Sequence, residues 1–128
     1  MGEWKNHKRY DPYYDEFASK NGIKAWPSLG DLSANPFVYE GKTVGILVFF
    51  RNMESATRGV FTGGGGGNPY PIFIVSNIPK GLFTTMYTRV ILAGKVLGNT
   101  EFKPPLGGSM RVPHLKFIDY MLPKESQK

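Results

Sequence analysis

The chain has 128 residues, no cysteine and a formal net charge of +6, and 41% of its residues are hydrophobic. This length suits one domain with a real core, and the lack of cysteine excludes a disulfide framework, a thiol nucleophile and a cysteine zinc site. No stretch approaches the roughly 20 apolar residues that span a bilayer, so no transmembrane segment is predicted.

The first residues, MGEWKNHKRYD, are charged and contain no apolar core of the kind that a secretory signal needs. We therefore predict no signal peptide in this chain. That prediction fits a cytoplasmic protein, and it fits equally an exported domain whose signal has been removed, so the compartment stays open.

Residues 1–36 are predicted to form an extension with two short helices. The first covers Pro12–Lys20 and ends at Asn21–Gly22. The second covers Ser28–Ala34, with Ser28 as N-cap and Asp31 completing a capping box, and the Asn35–Pro36 pair ends it. Four apolar side chains are expected to pack the extension onto the rest of the protein: Trp26, Leu29, Leu32 and Phe37.

Five short runs, rich in β-branched and aromatic residues and separated by turn residues, predict a small antiparallel sheet that is closed or nearly closed. The runs are Lys42–Arg51, Arg58–Thr62, Pro71–Ser76, Arg89–Leu97 and Val112–Tyr120. Residues 124–128 are predicted to be a polar tail.

The first strand is apolar on both faces, which predicts burial on both sides for part of its length. One face carries Val44, Ile46, Val48 and Phe50, which we expect to line the interior. Gly45 predicts a bulge or bend that lets this strand serve two halves of a barrel.

The run Gly63–Gly67, followed by Asn68–Pro69, predicts a flexible loop, because glycines have no side chains to pack. A phosphate-binding P-loop is excluded, since the Gly-Lys-Ser/Thr ending is missing and no helix follows.

Two motifs resemble bacterial OB-fold domains, in particular the tRNA-anti-like group. A Y-x-G-K-x-V pattern opens the first strand, and a V-x-x-x-G-K-V-x-G pattern forms the fourth. The residues that carry them are Tyr39, Gly41, Lys42 and Val44, and Val90, Gly94, Lys95, Val96 and Gly98. The resemblance covers about residues 35–121.

The resemblance implies a mainly β fold, a five-stranded Greek-key barrel over residues 37–123, with the N-terminal extension packed on it. One departure is expected. Asn77–Thr88 contains Pro79 and Gly81, so the helix that usually lies between strands three and four has only a broken segment to occupy.

OB domains bind oligonucleotides on the face of strands two and three and with the loops joining strands one to two and four to five. Basic groups there neutralise phosphates, and exposed rings stack on bases. The resemblance therefore implies these candidates: Arg51, Asn52, Arg58, Phe61, Phe73, Lys103 and Arg111. Core packing is the alternative for the two phenylalanines, and a solvated edge is the alternative for Arg51 and Arg58.

Charge is unevenly distributed along the chain. Residues 1–37 contain five basic and five acidic residues, whereas residues 38–123 contain nine basic and four acidic ones. The predicted barrel thus carries an excess of five positive charges. Such a domain attracts nucleic acid or an anionic membrane surface, and the alternative is that the charge only keeps the protein dispersed.

No catalytic or metal signature is found. His7 and His114 have no carboxylates at ligand spacing. Ser55, His114 and Asp119 contain the groups of a catalytic triad, but no nucleophile elbow surrounds the serine. We therefore expect neither an enzyme nor a cofactor.

The predicted function is non-catalytic binding, with single-stranded nucleic acid as the ligand. The first alternative is a protein–protein interaction or envelope-associated module of a bacterial protein. A small-molecule site at the mouth of the barrel is a further one.

Overall fold

The computed structural model describes residues 14–63 and 71–123, which form three short helices and five strands. Their bounds are α1 Asp15–Asn21, α2 Leu29–Ala34, α3 Pro36–Tyr39, β1 Thr43–Met53, β2 Gly59–Thr62, β3 Ile72–Ser76, β4 Arg89–Phe102 and β5 Met110–Met121. Most of the predicted glycine loop, the start of the first predicted helix, His7 and the predicted tail lie outside these residues.

The strands close into a barrel in the order β1-β2-β3-β5-β4. Only the β3–β5 pair is parallel, and the other neighbours are antiparallel. This is the Greek-key arrangement of an OB-like barrel, so the predicted fold class is confirmed. None of the helices within the described ranges is long and apolar enough to cross a membrane.

β1 serves both halves of the barrel, as predicted. Thr43–Phe49 pairs with β4, and Phe49–Met53 pairs with β2. The bend is not at Gly45, however, because the pairing is irregular between Phe50 and Asn52. Arg51 is the extra residue there, and a bulge of this kind lets a strand turn sharply.

Gly45 has a different role from the predicted one. It pairs in register with Ala93 of β4, and a Cβ atom at this position would lie 2.6 Å from Cζ3 of Trp26. Only glycine leaves room for the indole ring against the strand, which is a recognised reason for glycine within a sheet.

The inner core contains the predicted face of β1. Val44, Ile46, Val48 and Phe50 are each at most 3% exposed. Phe83, from the segment between β3 and β4, joins them, with its ring centroid 5.4 Å from that of Phe50. This segment has no helix, so a buried aromatic side chain fills space that a helix usually covers.

The N-terminal extension is part of the folded unit. Ser28 and Asp31 form the predicted capping box at the start of α2, and Gly22 ends α1 in the left-handed conformation with φ of 67°. Leu32 of α2 is fully buried in the inner core. Leu29 belongs to the same core, so α2 contributes directly to the barrel interior.

α1 covers part of the outside of the barrel. Phe17 and Ala18 pack with Ile91 and Ala93 of β4 in a second cluster. The prediction that Phe37 also packs inward is wrong, because its side chain is 79% exposed. α3 begins directly at Pro36, and this turn buries the proline and leaves the next residue in solvent.

Candidate nucleic-acid interface

β4 and β5 are longer than predicted and extend beyond the rest of the barrel as a hairpin. β1 pairs with β4 only as far as Lys95, while the β4–β5 ladder continues to the Phe102–Met110 pair. We call residues 97–113 the arm. The predicted loop of residues 98–111 is thus reduced to a turn of residues 103–109.

The arm contributes to a third apolar cluster. The buried members are Val60 of β2, Ile72 and Ile74 of β3, Phe102 of β4 and Val112 of β5. Side chains alternate between the two faces of a strand, and the neighbours Phe61 and Phe73 belong to the inner core. The third cluster therefore lies on the outer face of β2 and β3, and the arm's apolar side chains cover it.

The inner core, on the opposite face of these strands, contains two of the predicted site residues and so corrects that prediction. Phe61 and Phe73 are both fully buried, and their ring centroids lie 5.6 Å apart inside the barrel. Neither ring is available to stack on a base, so core packing is their role. The signal in the sequence was the unbroken apolar run Ile72–Val75, which implies burial of both faces of a strand.

Arg58 joins the connection between β1 and β2 to strand β4 of the arm. Its Nε donates to Glu54 Oε1 at 2.8 Å, and its Nη2 donates to the main-chain oxygen of Glu101 at 3.1 Å. Thr100 Oγ1 lies 3.5 Å from the same nitrogen. The connection between β1 and β2 is thereby fixed against the arm.

Two more predicted residues lie on the arm. Arg111 is the cross-strand partner of Glu101, is exposed, and donates from Nη2 to the main-chain oxygen of Asn99 at 3.3 Å. Lys103 is exposed at the start of the turn. Arg58 is therefore held against the edge of the barrel whose arm carries Lys103 and Arg111.

Arg51 and Asn52 lie on the neighbouring strand β1, at its bulge. Arg51 is partly buried, whereas Asn52 is exposed and donates from its side chain to the main-chain oxygen of Met53 at 3.4 Å. They stand beside β2, where Asn52 pairs with Val60. Of the seven predicted residues, five thus remain near the surface.

His114 has a polar environment that the sequence did not reveal. Its Nε2 lies 3.0 Å from Ser76 Oγ across the β3–β5 pair. Burial, and secondly the Arg58 guanidinium, lower the pKa of the imidazole from its usual value of 6.5. His114 is thereby favoured in its neutral form.

The three groups of a triad do not come together. Ser55 Oγ accepts from the main-chain nitrogen of Arg58 within its own loop, while Asp119 accepts from Asn21 at 3.0 Å. His114 contacts Ser76 instead. Within residues 14–63 and 71–123, no group of three or more histidines and carboxylates could hold a metal ion.

No family model matches this chain, and no curated protein or solved structure matches it significantly. The fold assignment therefore rests on the strand order and pairing of the barrel itself.

Proposed function

We propose that this barrel is a non-catalytic binding module for single-stranded nucleic acid. The observation that carries the proposal is the hydrogen bond from Arg58 to the Glu101 main chain. It holds Arg58 against the arm that carries Lys103 and Arg111, beside the connections that frame the ligand in barrels of this topology. The excess of five positive charges on residues 38–123 and the resemblance to bacterial OB-fold domains support it.

Binding at this edge would use phosphates rather than bases. The bonds of Arg58 use Nε and Nη2, and a guanidinium has five N–H donors, so Nη1 keeps two for a phosphate. Phe61 and Phe73 lie in the core and cannot stack. We therefore expect binding that depends strongly on salt and weakly on base sequence.

Fluorescence anisotropy with a labelled oligonucleotide at several salt concentrations tests the proposal. Arg51→Ala combined with Arg58→Ala should weaken binding, and each lost phosphate contact should reduce the slope of log affinity against log salt by about 0.7. Lys103→Ala should also weaken binding and reduce the salt slope, and it does so without removing a bond within the protein. Leu106→Ala, in the same turn but uncharged, is the control.

One result of the binding measurement would reject the proposal. If the unchanged protein binds no oligonucleotide at low salt, where the electrostatic attraction is greatest, nucleic-acid binding is rejected. Because Arg58 also holds the arm, a thermal melt of each variant must accompany the binding curves. A loss of affinity in a fully folded Lys103→Ala variant supports the proposal.

A protein-interaction module is the second candidate, and exposed apolar side chains favour it. Phe37 is 79% exposed, Val38 57% and Leu97 42%, and α3 contacts β4. Apolar groups clustered at a surface commonly mark interaction sites. This candidate would be favoured if the protein binds no oligonucleotide and if sedimentation experiments detect an association of the protein that Phe37→Ala abolishes.

A further inference from the structure

Two lysines face each other on the outside of the barrel. Lys95 of β4 and Lys116 of β5 are direct partners in the antiparallel ladder, and both are exposed. Side chains in such positions start about 4.5–5.5 Å apart at Cβ, so like charges repel. Across residues 14–63 and 71–123, neither lysine has a carboxylate within ion-pair distance.

The lysine pair lies in a longer row that crosses the strands. On one side, Lys95 pairs with Thr43 of β1, and the Thr43 carbonyl accepts from the main-chain nitrogen of Lys24 at 2.8 Å. Lys24 is exposed as well. The row therefore begins in the N-terminal extension and passes over β1 to the lysine pair.

On the other side the row continues to Arg58. Lys116 pairs with Ser76 of β3, whose hydroxyl contacts His114. Arg58 Nη2 lies 3.5 Å from Thr100 Oγ1, and Thr100 pairs with Val112, two residues before His114 on β5. We call Lys24, Lys95, Lys116 and Arg58 the basic row. The residues between these cations on β1 and β3 are Thr43 and Ser76, which carry hydroxyl groups.

Such a row has the chemistry of a phosphate-binding track. Ammonium groups act as point charges for phosphate oxygens, and hydroxyls between them supply further donors. Neighbouring strands lie about 4.8 Å apart, so the distance from β4 through β5 to β3 is about 10 Å. Because the row follows a curved barrel, a flexible strand can track it more completely than a flat lipid surface can.

We propose that single-stranded nucleic acid follows the basic row, with phosphates at Lys95 and Lys116. This inference rests on the proposed function and gives it a path over β4 and β5. That path avoids the outer face of β2 and β3, which the arm covers. Arg58 belongs both to the row and to the edge at the arm, so the two surfaces are continuous.

The test compares three charge reversals: Lys95→Glu, Lys116→Glu and Lys80→Glu. Lys80 is an exposed lysine in the segment between β3 and β4, so its reversal changes the net charge equally without touching the row. With a labelled oligothymidylate at low salt, we expect the first two variants each to lose about tenfold in affinity. Lys80→Glu should lose less than about threefold, and the salt slope should fall only in the row variants.

Three outcomes are decisive. If the unchanged protein binds but Lys116→Glu and Lys95→Glu lose no more than Lys80→Glu, the row is rejected and the proposed function stands. If the unchanged protein does not bind at low salt, both fail. If the row variants instead lose binding only to vesicles containing anionic phosphatidylserine, the partner is a lipid surface and the proposal is overturned. Circular dichroism confirms that each variant is folded.

Discussion

The indole ring of Trp26 packs against Gly45 because residue 45 has no Cβ atom. A Cβ on residue 45 would lie 2.6–2.8 Å from three atoms of the indole ring, closer than any relaxed contact. The ring is a rigid group, so it cannot move aside as the end of a lysine side chain can. We expect Gly45→Ala to lower the free energy of unfolding by about 1–3 kcal/mol, measured by urea denaturation.

Gly30→Ala is the matched control for that experiment. Gly30 is exposed in α2, and a Cβ there would be 3.7 Å from Ser28 Oγ, an ordinary contact. Alanine favours a helix over glycine, so this variant should gain up to about 1 kcal/mol. Equal effects of the two substitutions would contradict the steric explanation.

Ile46 tests the inner core at one position. Its side chain is 1% exposed and packs in the main cluster. We expect Ile46→Ala to cost about 2–5 kcal/mol, because transfer free energy is lost and a cavity remains. Leu106, on the arm, is fully exposed, and Leu106→Ala should change stability by less than about 0.5 kcal/mol in the same denaturation experiment.

His114 should make stability depend on pH. Its pKa in the folded protein is below the usual 6.5, so between the two values the unfolded chain binds more protons than the folded one. The contribution of His114 to the free energy of unfolding is therefore fully present above about pH 6.5. It is lost as the pH falls toward the pKa of His114 in the folded protein. Urea denaturation between about pH 5 and 7.5 should give a smaller pH dependence for His114→Gln. An unchanged pH dependence would contradict this assignment.

At the scale of elements, the arm should stabilise the barrel through its apolar side chains. Phe102 is 5% exposed and packs on the outer face of β2 and β3. Phe102→Ala should therefore cost about 3–5 kcal/mol in thermal or urea unfolding. Phe37→Ala removes the same side chain from an exposed position and should change little. Similar losses for both would show that the arm does not pack in solution as described.

The strands and helix ends could be predicted because their signals are local. Ser28 with Asp31, and Gly22 after α1, determine the helix ends through contacts within one turn. The five apolar runs marked the five strands. The extension of β4 beyond Leu97 was missed, because Gly98 and Asn99 are of types depleted in strands and are held there by pairing with β5.

The candidate site was less predictable, because it depends on which surface is covered. Whether Phe61 faces a ligand or a core cannot be determined from β2 alone. The answer depends on closure of the barrel, which packs Phe61 against Phe50 of β1 and against Phe83, a residue distant in sequence. Likewise, the opposition of Lys95 and Lys116 follows from the register of β4 and β5, which two bulges shift.

For the whole molecule, the extension and the barrel should be one cooperative unit. Leu29 and Leu32 lie in the inner core, and Phe17 covers Ile91 on the outside. Removal of residues 1–36 would leave these sites empty. We expect the fragment of residues 37–128 to lose the cooperative thermal transition of the full chain and to bind a hydrophobic dye. A fragment with an unchanged melting temperature would contradict this view.

Closing a barrel removes free strand edges, yet the arm creates a new one. Val96 still bonds through its main chain to Gly41 and Lys42, and beyond it β4 pairs with β5 but no longer with β1. Main-chain oxygens on such an edge can recruit a strand from another molecule and so start aggregation. In this segment, the Asn99 and Glu101 oxygens already accept from Arg111 and Arg58. The two arginines therefore protect the arm against edge-to-edge assembly, so a protein without them should remain folded but precipitate more readily.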